Sequence, residues 1–232
     1  MHKGLFNWLL PSIRFNLRYL PFKQAVKLPI YLYRPRFHKL GGSVEILSDE
    51  ISRGMVKIGF PETTLFLGSK YTVEINGNVR FLGSCHLGCG GVISVGSKGL
   101  LEVGGDVTAS DNTKLICFHY VKIGEGTTLG WDCTLCDTDF HAMKNAFTEK
   151  KMKAYAPIKL GRYNWLGSSC HVLKGTVTPD YTTVSACSFL NKRYRCAEKS
   201  ILSGNPAEIV SEGCFYRDMK DDRFEYAAYE QI

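Results

Sequence analysis

Between Leu160 and Leu190 the chain repeats every six residues, and this period restricts the fold more than any other feature of the sequence. Leu160, Leu166, Val172, Thr178, Val184 and Leu190 are apolar in five of six cases. A run that apolar arises by chance about once in sixteen at this chain's hydrophobic content, so the column alone is weak. A second column strengthens it: four residues after the aliphatic positions stand Asn164, Cys170, Thr176, Thr182 and Ser188, all small or polar. A small or turn-forming residue also follows most aliphatics, as in Leu160-Gly161, Leu166-Gly167 and Val184-Ser185. We read these as places where the chain turns tightly at a corner. An α-helix does not tolerate glycine at this density.

The same phrase runs upstream through Ile123-Gly124, Leu129-Gly130 and Leu135-Cys136, and less regularly through Val103-Gly104, Val95-Gly96, Leu87-Gly88 and Ile58-Gly59. Three hexads make one triangular coil of about eighteen residues whose flat sides are short strands stacked in register on the coil below. The expected architecture is an all-β parallel β-helix over residues 51–205. A cap region, partly helical and basic, precedes it at 1–50, and a tail or short helix at 206–232 covers the last coil. Slips between Val103 and Ile123 imply imperfect corners or small loops. Residues 142–157 abandon the period and form an excursion loop.

The 232 residues, 44% of them hydrophobic, suffice for one main core. No apolar run reaches the eighteen or so residues of a membrane span. In the N-terminal segment Leu5, Phe6, Trp8, Leu9, Leu10, Ile13, Phe15, Leu17, Tyr19 and Leu20 are interleaved with Arg14, Arg18, Lys23 and Lys27. That mixture suits a helical cap on the first coil, and also suits peripheral contact with a membrane. The net charge of +7 would attract a polyphosphate cofactor, a nucleotide sugar, an anionic membrane or nucleic acid. No nucleic-acid-binding motif accompanies it, so nucleic acid is not an expected partner. Nine cysteines without a secretory start point to reduced thiols and a cytoplasmic location, with peripheral contact at the inner membrane face as the variant. Cys133 and Cys136 form a lone C-x-x-C, and Cys85 and Cys89 lie four apart. No second pair follows, so no metal is expected, and the thiols read as small inward residues.

The alternation of aliphatic and small positions, the stretch NWLGSSCHVLKGTVTPDYTTVSACSFLNK followed by ILSGNPAEIV, and the lead-in APIKLGRYNWLG resemble the hexapeptide-repeat acyltransferases. The likeness is to the maltose, galactoside and xenobiotic O-acetyltransferase branch and to polysaccharide O-acetyltransferases, and it covers residues 90 to 210. Periodicity is silent on handedness; the resemblance implies a left-handed coil. It also implies a homotrimer with shared active sites, acetyl-CoA as co-substrate and a saccharide acceptor.

For transfer from a thioester to an alcohol, a base must take the hydroxyl proton, and imidazole serves near neutral pH. His141 stands at the base of the excursion, and the resemblance assigns it this role, reaching toward the neighbouring subunit. Asp137 and Asp139 lie close in sequence, able to hold the imidazole, bind a hydroxyl, or merely cap the loop. His119 is the rival histidine; His86 and His171 read as ordinary coil residues, and His2 and His38 lie outside the repeat. The resemblance places the acetyl-CoA contacts at Ser168, Ala186, Asn191 and Lys192, the last facing a phosphate. Glu208 and Ser211 depart from the basic residues common in relatives; Lys199, Arg193 or Arg195 would have to compensate. Asn112 or Ser110 corresponds to an acceptor contact. Trp131 and Trp165 are large surface aromatics suited to stacking on a sugar or to packing between subunits.

The expected function is acetyl transfer from acetyl-CoA to a sugar or glycan hydroxyl. An N-acetyltransferase of an amino sugar or nucleotide sugar needs the same machinery. A non-enzymatic β-helix scaffold would need no histidine at the loop base. A γ-type carbonic anhydrase would need three zinc histidines at a spacing this chain lacks, and long-chain acyltransferases carry longer runs of perfect hexads.

Overall fold

A computed structural model describes residues 3–64, 66 and 68–218. Expectations for His2 and for the tail beyond 218 lie outside the described residues. Three sheets run the length of the molecule, of nine, seven and five strands. Each takes one strand from successive turns of the chain, and every pairing is parallel except the last. The chain is a left-handed parallel β-helix, as the repeat and the resemblance led us to expect.

Stacking in register turns the sequence period into continuous interior columns. In the first sheet Ala109 pairs with Leu129, then Leu166, Val184 and Leu202. In the second, Leu115 pairs with Leu135, Val172 and Leu190. All six aliphatic-column positions from Leu160 to Leu190 are buried, and so are Asn164, Cys170, Thr176, Thr182 and Ser188. The one polar member, Thr178, keeps its hydroxyl satisfied by donating to Asn164 Oδ1 at 2.5 Å and accepting from Gly161 N at 3.2 Å. A buried hydroxyl costs little once its bonds are made.

The glycines after the aliphatics have a different cause from the tight turn expected of them. Gly124 and Gly161 keep ordinary backbone angles, but a Cβ on Gly161 would fall 2.3 Å from Pro179 O of the next coil, and one on Gly124 2.3 Å from Gly161 O. Close approach of coils excludes a side chain there. The left-handed corner positions are held by other residues, among them Asn112, Asp132, Ser169 and Cys187 at φ of 58–64°.

The coil begins earlier than the repeat suggested. β1 (Ile30–Leu32) and the strands Pro35–Leu40 and Ser43–Ile46 already make the first turn, inside the segment expected to be cap. The cap proper is α1 (Lys3–Tyr19) followed by α2 (Phe22–Ala25). Its inward stripe is Ser12, Phe15, Asn16 and Leu20. Asn16 Nδ2 donates to Ile30 O at 2.7 Å, Ile30 N donates to Asn16 Oδ1 at 3.1 Å, and Leu32 N donates to Ser12 Oγ at 2.9 Å. Two side chains thereby take the place of a neighbouring strand on the open edge of β1, where unpaired backbone groups invite aggregation. At the other end a hairpin closes the first sheet: Ala207–Ser211 folds back antiparallel on Ile201–Gly204. No helix among the described residues is long and apolar enough to cross a membrane.

Candidate functional site

Backbone bonds at the corner between the first and second sheets climb one coil at a time: Asn112 N to Cys89 O, Asp132 N to Asp111 O, Ser169 N to Trp131 O, and Cys187 N to Ser168 O. Cys89, Asp111, Trp131, Ser168 and Ala186 therefore form one vertical column, beside a second of Gly90, Asn112, Asp132, Ser169 and Cys187. Four predicted site residues, Asn112, Trp131, Ser168 and Ala186, are brought together along this single edge. Asn112 Nδ2 donates to Asp132 Oδ1 at 3.2 Å, so its amide already spans two coils.

A groove of about 530 Å³ opens along this edge. Trp131 and Trp165 wall it, 36% and 42% exposed, with Ser110, Thr128 and Ser168 supplying hydroxyls. Two remote segments complete the surroundings, and sequence reasoning missed both. Residues 59–64, 66 and 68–70 lie on an earlier excursion from the coil: Thr63 donates to Asp111 at 3.3 Å, Cys89 Sγ donates to Phe66 O at 3.1 Å, and the Phe66 ring lies 6.5 Å from that of Trp131. Of the C-terminal segment, expected to cover the last coil, Ala207–Ser211 does fold back on it, but residues 213–218 run elsewhere. Past Gly213 the chain turns back along the prism, with Phe215 N on Lys199 O, Tyr216 edge-on to Tyr181, and Arg217 donating to Thr128 Oγ1 at 2.6 Å. Arg217 and Asp218 then line the groove. The break of hexads after Ile58 was the one available signal for the first segment; nothing in the sequence reported the second.

His141 lies elsewhere. The excursion leaves the coil at Thr138, four residues before its expected start, and returns at Pro157, so it occupies the corner between the second and third sheets. It is a hairpin-like arm, tied by antiparallel bridges Thr138 to Tyr155 and Lys144 to Lys151. His141 is exposed on it, as are Met143, Met152 and Tyr155, while Phe147 is 97% exposed. No excursion residue lines the tryptophan groove. Within one chain the histidine and the groove sit at different corners, a full strand of the second sheet apart.

The two aspartates part company. Asp137 is fully buried and accepts three backbone N–H groups, from Phe118 at 2.8 Å and from His119 and Tyr120 at 2.7 Å. Its carboxylate shapes the turn that carries His119, whose ring packs 4.8 Å from that of Tyr155 at the loop base. Asp139 pairs with Lys174 Nζ at 2.6 Å, and Lys174 also donates to Lys153 O at 2.8 Å, pinning the arm to the next coil. His86 Nε2 donates to Phe60 O at 3.0 Å, consistent with an ordinary coil position.

Asn191 and Lys192 follow the last strand of the second sheet, on the same corner as the excursion. Lys192 Nζ pairs with Glu208 at 2.6 Å, so the acidic departure noted in the sequence holds the cation expected to meet phosphate. Both partners are exposed, and such a pair contributes only about 0–1 kcal/mol, a small barrier to exchange for a phosphate. Lys199 lies over the Tyr216 ring at 4.7 Å.

Cys133, just before the strand Thr134–Cys136, is buried, while the half-buried Cys136 at its end donates to Thr138 O at 3.1 Å. Burial, aided by the Asp137 charge, pushes Cys117 up to about 12; burial and Asp111 push Cys89 up to about 11. These thiols stay protonated and act as core filler.

No protein-family model and no curated protein matches the chain. Among solved structures it is similar to the polysialic acid O-acetyltransferase OatWY, at 16% identity over 86% of this chain and 98% of that one, TM-score 0.47. It is similar to the polySia-specific acetyltransferase NeuO at 15% identity over 85% and 95% of the two chains, TM-score 0.46. A maltose O-acetyltransferase from Clostridium difficile 630 matches at 11% identity over 88% and 83%, TM-score 0.32. The fold defines the class: a hexapeptide-repeat, left-handed β-helix protein.

Proposed function

We propose that the chain is an acetyl-CoA-dependent O-acetyltransferase of a sugar or glycan hydroxyl, working as a homotrimer. The observation that carries this reading is the division of the site. A groove walled by two exposed tryptophans runs along one corner, and a histidine on a projecting arm stands at another. Packing copies corner to corner around a threefold axis sets the arm of one against the groove of the next. The exposed Met143, Phe147 and Met152 suit an arm that packs on a neighbour, since apolar side chains of this number seldom face water without a partner.

In this arrangement Trp131 and Trp165 stack on the faces of the sugar, and Ser110 or Asn112 fixes its hydroxyls. The corner groups of Ser168 and Ala186 meet the pantetheine arm of acetyl-CoA, with Asn191 and Lys192 at its phosphates. His141 takes the proton from the acceptor hydroxyl as its oxygen attacks the thioester carbonyl. The carbon–sulfur bond then breaks, the acetyl group stays on the sugar oxygen, and the imidazolium returns its proton to the departing thiolate. Asp139 and Asp137 act as positioning residues, the first by anchoring the arm to Lys174 and the second by shaping the turn beneath it.

The test is release of CoA thiol from acetyl-CoA with a panel of mono- and oligosaccharides, using wild type, His141→Ala and Trp165→Ala. Acceptor-dependent release, lost in His141→Ala by about 10²–10⁴-fold with folding intact, is the expected result. Release that requires amino sugars would move the acceptor to nitrogen. No release with any acceptor, together with no CoA binding, would leave a β-helix scaffold.

A further inference from the structure

The net positive charge of this chain lies at one end. Eight of its 29 Lys and Arg residues, and none of its 22 Asp and Glu, precede Glu45; the remainder carries 21 against 22 and is electrically balanced. The excess of +7 therefore belongs to the cap and the first coil. The outward face of the cap is also apolar. While Ser12, Phe15 and Asn16 point inward to β1, Leu10, Arg14 and Leu17 recur at i, i+4 and i+7 on the opposite side of α1, and all three are exposed. The face continues onto α2, where Phe22 is 73% exposed, and onto Val26, 54% exposed, flanked by the exposed Lys23 and Lys27.

We infer that this end of the prism docks on a membrane surface rich in anionic lipid. Each half of the observation limits the partner. Exposed leucine, phenylalanine and valine beside lysine and arginine form the pattern of a helix that lies in the headgroup region, its apolar side chains below and its cations at the phosphates. A soluble polyanion such as nucleic acid would use the cations but leave Leu17, Phe22 and Val26 in water. An acidic protein patch would meet the cations, with no carboxylate before Glu45 to repel it, but would lack the depth that four apolar side chains need. A bilayer satisfies both parts. Four coil steps, each about 4.8 Å, separate β1 from strand Thr128–Leu129, so the tryptophan groove would stand about 20 Å above the surface.

The experiment is flotation of the full chain with phosphatidylcholine vesicles, with and without phosphatidylglycerol, at physiological salt. Binding is expected only with the anionic lipid. Each cation near such a surface contributes about fivefold to partitioning, so Arg14→Gln/Lys23→Gln/Lys27→Gln should weaken binding on the order of 100-fold. Leu17→Ser/Phe22→Ser/Val26→Ser should weaken it about tenfold or more. Both variants change exposed side chains, and an unchanged thermal midpoint confirms that the fold is kept. Acetyl transfer to a soluble acceptor, or its absence, is read separately, because the docking surface shares no residue with the groove. No flotation of wild type, equal binding to neutral vesicles, or anionic binding untouched by the apolar triple substitution would each overturn the inference; the last, with tight binding to a nucleic acid, would assign the surface to a polyanion.

Discussion

Asp137 offers the sharpest test of the account, because its sequence context suggested chemistry and its surroundings give it architecture. Replacing it by asparagine keeps shape and volume and removes one acceptor. In the native turn one oxygen accepts from Phe118 N and the other from both His119 N and Tyr120 N, all in a fully buried setting. An amide placed in either orientation sets an NH₂ group against at least one backbone donor. A buried donor left unmet costs about 1–3 kcal/mol, and the bonds that survive lose their charge assistance. The expected destabilisation of Asp137→Asn is about 2–4 kcal/mol, or roughly 5–15 °C in the thermal midpoint for a chain of this size. The assay is thermal unfolding at fixed protein concentration, since association of copies shifts the midpoint, alongside kcat and KM measured well below the transition. Activity of the folded variant should stay within about tenfold of wild type, whereas losing the orienting partner of a general base costs about 10⁴-fold. An unchanged midpoint with a loss of that size would refute the structural assignment and return Asp137 to the reacting centre.

Asn16→Ala strips both backbone groups of Ile30 of their partners and is expected to cost about 2–4 kcal/mol by chemical denaturation, while the exposed neighbour Arg14→Ala should fall within about 0.5 kcal/mol of wild type. Gly161→Ala places a Cβ 2.3 Å from the Pro179 carbonyl, so a loss of about 3 kcal/mol or more, or failure to accumulate soluble protein, is expected. Glu208→Gln frees Lys192 and should lower KM for acetyl-CoA by about two- to fivefold with kcat unchanged; a rise in KM would show that Glu208 itself serves the cofactor. Of nine cysteines only Cys187 and Cys214 are exposed, so an aromatic disulfide reagent should titrate two thiols rapidly in the native protein and the others on unfolding.

The core of the β-helix was legible because its physics is local and repeated. Each coil presents the same inward positions to the same neighbours, so the columns of Leu166, Val184 and Leu202 or of Leu135, Val172 and Leu190 appear in one dimension as a period of six. Trp131, Ser168 and Ala186 stand at one phase and Asn112 in the adjoining column, a common edge that emerged only once the coils were stacked in register. What has no phase was not legible. The first coil, Ile30 to Ile46, lacks clean hexads, and Tyr71 and Phe81 fill the lower core with rings where the upper coils use aliphatics. Asp137 and Asp139 are two residues apart, a spacing that would put both on one face of a strand, yet the chain leaves the coil at Thr138 between them, so Asp137 stays in the core and Asp139 meets Lys174 at the surface. Pattern alone does not say which, since a buried carboxylate is stable only where donors converge, and here they come from residues seventeen to nineteen positions earlier.

By itself the sequence determined the six-residue period, the interior columns it builds, and an interruption bearing His141. The tertiary structure alone decided which remote segments reach the groove's corner. Phe66 arrives from an excursion three coils below, and Arg217 crosses from the C-terminal segment to Thr128, eighty-nine positions away. Such contacts depend on where the chain goes after it leaves the repeat, and a loop obeys no period. The tertiary structure likewise set His141 on a different corner from the tryptophans, because the side of the triangle from which a loop departs is fixed only when coils stack in register.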